Sequence, residues 1–305
     1  NARLYADDTC LFVEVDNRVN AAAMLNADLA RLHEWADKWL IDFSAPKTKV
    51  LTISNKIDSG NNPPITFKGQ RIEEVDSHVY LGLRFSKDLK WRKHINDVCV
   101  KARKKLNVMS YLKYKLDRRS LQTMYLSFVQ SSLDYASVVW GNTYDVILKN
   151  IDIIQIDEMR FITGATKRTN INKLYKETGF KDTKTRAENS MLILMYNIIN
   201  GNCPTYLKNI VQQNEPNPYH FRQKHTIRAP HTRLDTFFRS FIPSASRLWN
   251  KLPDNIRNAP SVNIFKQLLN VKIIPNKLYF FGERRPAVHH ARMRLGCSKL
   301  KSDLC

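Results

Sequence analysis

Near the start of the chain two adjacent carboxylates, Asp7 and Asp8, stand in Tyr5-Ala6-Asp7-Asp8, flanked by Ala2-Arg3-Leu4 and by Thr9-Cys10-Leu11-Phe12-Val13. Two short apolar runs on either side of paired acids predict a β-hairpin over residues 3–15 whose tight turn presents both carboxylates to solvent. Such a tip can hold a hard divalent cation, because Mg²⁺ takes carboxylate oxygens together with substrate phosphates and a hairpin keeps those oxygens in place. Adjacent aspartates also serve as plain turn formers, since the side chain bonds its own backbone there. Taken alone, the four residues leave both readings open.

Lys47 is the next candidate, in Lys47-Thr48-Lys49 ahead of the β-rich run Val50-Leu51-Thr52-Ile53. A lysine there is either a surface cation or a donor to a phosphate and to a leaving pyrophosphate. The histidines make weaker candidates: His220, His225 and His231 are five and six residues apart, whereas helical metal pairs sit three or four apart. His33 and Glu34 read as surface residues. Five scattered cysteines, Cys10, Cys99, Cys203, Cys297 and Cys305, form no CxxC pair; no disulfide framework is expected, which fits a reducing compartment.

The elements that would position these groups follow from periodicity. A helix from about Asn20 should carry Leu25, Leu29, Leu32, Trp35 and Trp39 as a stripe packed on a sheet. Short strands are expected at 65–67 and 71–72, and His78–Phe85 as another, with Gly82 permitting a bulge or close backbone approach. Residues 93–113 predict an amphipathic helix. Ile95, Val98, Cys99, Ala102, Leu106, Met109 and Leu112 form its apolar face, and Lys101, Arg103, Lys104, Lys105 and Lys113 cover the rest. Tyr111, Tyr114, Lys115, Arg118 and Arg119 extend that cationic surface with aromatics interleaved. A second helix with Leu121, Met124, Tyr125, Phe128, Val129 and Leu133 on one side leads to a segment closed by Gly141 as a cap, and further helices are expected at 145–163, 170–178 and 184–200.

Charge is unevenly spread. Residues 1–89 hold 11 basic and 13 acidic side chains, residues 90–119 hold 11 and 2, residues 120–221 hold 10 and 9, and residues 222–301 hold 17 and 3. An acidic-leaning block followed by two basic concentrations points to a metal-using part beside surfaces for a polyanion, nucleic acid in particular. No run of about 18 uncharged apolar residues occurs, so no transmembrane helix is expected, and no basic-then-apolar leader indicates secretion. The absence of an initiator Met, and a start inside a strand-like segment, suggest a piece of a longer polypeptide.

The order Tyr5-Ala6-Asp7-Asp8, a helix with Trp35 and Trp39, Lys47-Thr48-Lys49, Val79-Tyr80-Leu81-Gly82 and then basic helices beginning close to Trp91 resembles the end of a reverse-transcriptase palm. The variety it is most similar to is the polymerase of non-long-terminal-repeat, jockey-like retrotransposons, with motifs matching in order across residues 2–114. Leu133–Gly141 and the stretch from Arg233 through Trp249 to Leu269 are also similar to that class. The resemblance implies an α+β fold: a partial palm β-sheet with a packed helix over residues 1–87, and an all-helical thumb and connection over 88–201. A linker over 202–232 and a basic post-thumb region over 233–305, truncated before any Cys/His zinc cluster, would follow.

On that resemblance Asp7 and Asp8 become metal ligands for Mg²⁺ (or Mn²⁺), Lys47 the proton donor, and Leu81 and Gly82 the primer grip. Trp91, Lys101, Arg103, Lys104, Lys105, Lys113, Arg118 and Arg119 would hold an RNA–DNA duplex. RNA template and deoxynucleoside triphosphates would be the partners of the full-length enzyme, inside the cell, nuclear or cytoplasmic. The fingers and an essential upstream Asp are expected to lie before residue 1, leaving these residues inactive by themselves. The other reading is a non-catalytic nucleic-acid-binding remnant, which uses the cations and gives Asp7 and Asp8 no role. A nuclease in residues 202–305 ranks last, since acids such as Asp235, Asp254, Glu283 and Asp303 form no ordered set there.

Overall fold

The computed structural model describes residues 2–54, 62–213, 227–269 and 284–295. The chain divides into two compact units, Asn1–His94 and Ile95–Cys305.

In the first unit, β1 (Ala2–Tyr5) pairs antiparallel with β2 (Asp8–Leu11), from Ala2↔Leu11 to Tyr5↔Asp8. The connecting loop is therefore Ala6–Asp7 alone. A two-residue loop matches strand twist when its first residue takes positive φ, and Ala6 does so at 50°. Asp8 consequently opens the second strand instead of sharing the tip, a correction to the expected hairpin, which also ends at Leu11 and not near residue 15.

The expected single strand His78–Phe85 is in fact two, β7 (Ser77–Tyr80) and β8 (Leu83–Ser86), folded back at Leu81–Gly82. Leu81 and Gly82 have φ of 48° and 77°. Gly82 is the second residue of the turn, where a Cβ would meet the left-handed penalty, so its role is the reversal and not a bulge. A third hairpin joins β4 (Thr66–Phe67) to β5 (Gln70–Arg71), and β3 (Lys49–Val50) runs parallel to β6 (Glu73–Glu74). Among the described residues the strands thus form four two-stranded pairs, not a continuous palm sheet. Each strand spans only two to four residues, and the chain reverses before a third strand can add.

Helix α1 (Arg18–Lys38) starts at Asn17, whose side chain accepts from Val19 N at 2.8 Å. Its buried line is Ala22, Leu29 and Ala36, seven residues apart, and Leu29 joins Phe67 and Ile72 in a small core. Trp35 and Trp39, expected in that core, are 43% and 62% exposed. Small alanines let the helix sit close, and the tryptophans fall off the seven-residue line. His33 departs from expectation as well: half-buried, it meets the Phe67 ring edge-on at 5.9 Å. Asn26 fastens the helix to the third hairpin, accepting from Thr66 N at 2.9 Å.

The second unit is helical, entered through α2 (Arg92–Ser110), whose first turn holds the division between the units. Ile95, Cys99, Ala102 and Met109 are buried as the pattern required. Next come α3 (Arg118–Met124), a wide π-helical turn over Tyr125–Gln130 and α4 (Ser131–Leu133). Leu121, Tyr125, Val129 and Leu133 have no exposed surface. That strict four-residue repeat is longer than the 3.6-residue α period, and the i→i+5 turn supplies the difference. Phe128, expected on the same side, is rotated out of the core to 42% exposure.

After α5 (Ser137–Trp140), Gly141 has φ −70° and is no left-handed cap. Its glycine character is required by close approach: a Cβ there would overlap Ala187 Cβ and the Ser137 carbonyl oxygen. Helices α6 (Asp145–Thr163), α7 (Ile171–Thr178) and α8 (Thr183–Ile199) fall where their patterns predict, α7 and α8 capped by Asn170 and Asp182. The Asp182 carboxyl accepts from Thr185 N and Oγ1; burial raises its pKa but these bonds outweigh that and hold it below the usual carboxylate range.

Beyond α9 (Thr205–Ile210) the described elements are α10 (Asp235–Phe238), α11 (Phe241–Lys251), α12 (Asp254–Arg257), α13 (Val262–Leu269) and α14 (Arg284–Arg294). They do not build a core apart from the preceding helices. Met195 and Tyr196 of α8 share one with Trp249 and Phe265. The Tyr196 ring stacks on Phe265 at 4.5 Å, and its hydroxyl donates to Ala259 O at 2.6 Å. Part of the expected linker, 214–226, lies outside the described residues, but Ile227 is already in this core and bonds Asn250 through both N and O.

Replacing Gly141 with Ala should lower stability by about 1–3 kcal/mol, the range for overpacking a filled interior. The shift of the denaturation midpoint measures it, and an unchanged midpoint would remove the close-approach role from Gly141.

Candidate functional site

Asp7 and Asp8 are both exposed, and among the described residues neither enters an ion pair. Asp7 lines a concavity of about 250 Å³ with Leu4, Trp35, Ile41, Asp42 and Phe43. Asp42 is held by the Lys68 ammonium, whose hydrogen bond keeps that carboxyl below its usual range. The phenol of Tyr80, just before the Leu81–Gly82 turn, is shifted upward by burial and then by negative charge at Cys10 and Asp8. The structure therefore brings the β7–β8 hairpin within electrostatic reach of the acidic strand. Sequence reasoning named Tyr80 within the Val79–Gly82 motif but gave it no role of its own, and it missed Asp42.

As a cation site, this donor set is partial. Two exposed carboxylates fit one edge of an oxygen cage for a hard divalent ion. Among the described residues no group of three or more Asp, Glu, His or Cys side chains comes together. Lys47 ends an exposed 3₁₀ turn, Ala45–Lys47, while its neighbour Lys49 pairs with Glu73 at 2.5 Å. Trp91, half-buried with φ 62°, meets Phe85 edge-on at 5.3 Å and His94 at 6.0 Å, so much of its surface is committed to packing.

In the second unit Lys101, Arg103 and Lys104 are exposed on the polar face of α2, and Arg119 is exposed at the start of α3. Lys105 bends back to donate to Phe128 O at 2.8 Å and lies 4.7 Å over that ring. The Lys113 ammonium is 5.5 Å from the rings of both Tyr114 and Phe161.

Arg118, expected at the phosphate-facing surface, is 2% exposed. It donates to Thr163 O at 3.3 Å and faces the Glu177 carboxylate at 3.9 Å. Its spacing explains this: Arg118 stands three and seven residues before the buried Leu121 and Tyr125, on the same side of the helix. Glu177 also binds Arg294, and Arg292 donates to Gly164 O at 2.8 Å, so α14 is tied to the ends of α6 and α7. The available signal was an acid three residues after the core residue Leu174, on an apolar face where a carboxylate needs a buried partner.

Among the described residues the remaining histidines and cysteines join no group that could hold a metal ion. His231, His289 and His290 are exposed; His220, His225, Cys297 and Cys305 lie outside the described residues; and Cys10, Cys99 and Cys203 are free thiols. No helix among the described residues is long and apolar enough to cross a membrane.

The chain is similar to RNA-directed DNA polymerases of mobile elements. It is 28% identical over 164 residues to the RNA-directed DNA polymerase from mobile element jockey of Drosophila melanogaster, 53% of this chain and 18% of that relative. The jockey polymerase of Drosophila funebris is 29% identical over the same shares. The probable RNA-directed DNA polymerase from transposon X-element of Drosophila melanogaster is 26% identical over 164 residues. The match thus spans 18% of the length of these curated relatives. No family model matches, and no solved structure matches.

Removal of the Glu177 carboxylate by substitution with Ala should destabilise the second unit by about 3–5 kcal/mol, because it strips the ionic partner from a buried guanidinium. Chemical denaturation reads this loss; a change below about 1 kcal/mol would show that Arg118 is solvated after all.

Proposed function

We propose that this chain serves RNA-directed DNA synthesis, carrying the acidic hairpin of a nucleotidyl-transfer site and a helical unit that holds the RNA–DNA duplex. The reading rests on one observation: exposed Asp7 in the hairpin loop and Asp8 at the start of β2, within electrostatic reach of Tyr80 before the Leu81–Gly82 turn, in a chain whose curated relatives are named RNA-directed DNA polymerases.

In this reading Asp7 and Asp8 would hold Mg²⁺ or Mn²⁺, which when bound acidifies a primer hydroxyl and offsets phosphate charge. The side chains of the chain then do the rest. The Lys47 ammonium hydrogen-bonds the leaving pyrophosphate and gives up its proton as the P–O bond breaks. The Leu81–Gly82 backbone lies against the primer end, where the missing Cβ of Gly82 allows close approach. Lys101, Arg103, Lys104 and Arg119 neutralise duplex phosphates, with Lys105, Lys113 and Trp91 contributing only the surface left free by their own packing. Arg118 is no part of this surface. Template RNA and deoxynucleoside triphosphates are the substrates.

A second reading, non-catalytic nucleic-acid binding, rests on the exposed cations Lys101, Arg103, Lys104 and Arg119 alone. It requires the cations and leaves the hairpin acids idle. Manganese separates the two. Paramagnetic Mn²⁺ should broaden the amide signals of Asp7 and Asp8 at about millimolar concentration, in keeping with a two-carboxylate site, and the Asp7→Asn/Asp8→Asn chain should show no such effect. Broadening that persists in that variant leaves the binding-only reading.

Joint charge reversal at Lys101, Arg103 and Lys104 should weaken RNA–DNA duplex affinity regardless of sequence. The plot of log affinity against log salt should flatten by about 0.9 for each phosphate that is no longer neutralised. An unaltered slope would detach the basic face of α2 from nucleic acid.

A further inference from the structure

The link between α2 and α3 carries the two most exposed aromatic side chains among the described residues, Tyr111 at 81% and Tyr114 at 82%. Neither helps to build the core. The link is nonetheless ordered by consecutive tight turns: Leu112 N donates to Met109 O at 2.9 Å, Lys115 N to Leu112 O at 3.0 Å and Leu116 N to Leu112 O at 3.1 Å. Asp117 then caps α3 by accepting from Ser120 N at 2.8 Å. Lys113 sets its ammonium 5.5 Å from the Tyr114 ring and 5.5 Å from the Phe161 ring, bracing that tyrosine from one side. Exposed Lys115 and Arg119 flank the pair.

Cations alone suffice for duplex phosphates. Bare aromatic faces among cations add something a duplex cannot use, because its bases are already stacked on one another. They match unpaired nucleotides, whose base faces are free and whose phosphates stay close to the neighbouring lysines and arginine. We propose that Tyr111 and Tyr114, with Lys115 and Arg119, form a stacking platform for an unpaired nucleotide next to the duplex held by the same unit. This rests on the duplex-binding reading above and adds the single-stranded part of the ligand. Lys113 acts as a positioning residue, through the Tyr114 ring.

The test uses the full chain and three probes: a blunt RNA–DNA duplex, the same duplex with a short unpaired RNA extension, and one with a DNA extension. Each extension carries a fluorescent adenine analogue whose emission falls on stacking. The chain should bind at least one extended duplex more tightly than the blunt one and quench the analogue. Tyr111→Ala/Tyr114→Ala should lose about tenfold in affinity for that probe and lose the quenching, with blunt-duplex affinity, salt slope and thermal midpoint unchanged. Tyr111→Phe/Tyr114→Phe should retain both, since the ring and not the hydroxyl does the stacking. The arm that responds, RNA or DNA, identifies the strand.

Equal affinity of the chain for blunt and extended duplexes, or an Ala variant that still quenches, overturns the platform while leaving duplex binding intact. Failure to hold any duplex overturns the platform together with the reading beneath it. The charge-reversed α2 variant reports on that reading independently.

Discussion

A chain that reverses direction in two residues must turn its first loop residue to positive φ, and in the first unit Ala6, Lys68 and Leu81 all do so. None is glycine, and each carries a left-handed cost of roughly 1–2 kcal/mol. The short strands cannot offset that cost through long ladders. The offset comes from the small core of Leu29, Phe67 and Ile72, and from Asn26 binding α1 to the third hairpin. Loop strain and candidate chemistry coincide at two of these turns, Ala6–Asp7 and Leu81–Gly82, where side chains and backbone stand clear of the core.

The second unit solves a different problem, the placement of many positive charges on a helical scaffold. Adjacent residues receive opposite treatment. Arg119 is solvated, whereas Arg118 is enclosed with Glu177. Rotation about the helix axis decides which one is inside, and enclosure is tolerable only because a carboxylate from α7 meets it. The basic balance of residues 90–119 is thus partly structural, and the surface left for a polyanion is narrower than composition alone suggests.

Much of this was legible beforehand where local signals agreed. The helices expected at 145–163, 170–178 and 184–200 form within a residue of those bounds, and the acidic hairpin forms where two apolar runs predict it. Misreadings arose where tertiary packing overrode periodicity. Trp35 and Trp39 have the bulk and spacing of a core stripe, yet Ala22 and Ala36 occupy the close-contact positions. Gly141 resembles a cap by position but is small because α8 passes directly over it. Asp42 escaped notice and Tyr80 received no role because their relation to the acidic hairpin depends on segments distant in sequence, which no pattern along one segment encodes.

The wide turn at Tyr125–Gln130 has an implication for how such a helix can vary by descent. A π turn is what remains when an α-helix accommodates one surplus residue. Excising one residue there would restore ordinary geometry and nearly keep the core face, since eleven α-helical steps of about 100° end within about 20° of three full turns. An excision within α3 instead would swing everything ahead of it by about 100° relative to everything behind, so that Arg118 would leave Glu177 and the loop bearing Tyr111 and Tyr114 would point elsewhere. The wide turn is therefore where this helix can lose a residue without losing its register, and its exposed Leu126, Ser127 and Phe128 are where it can change one.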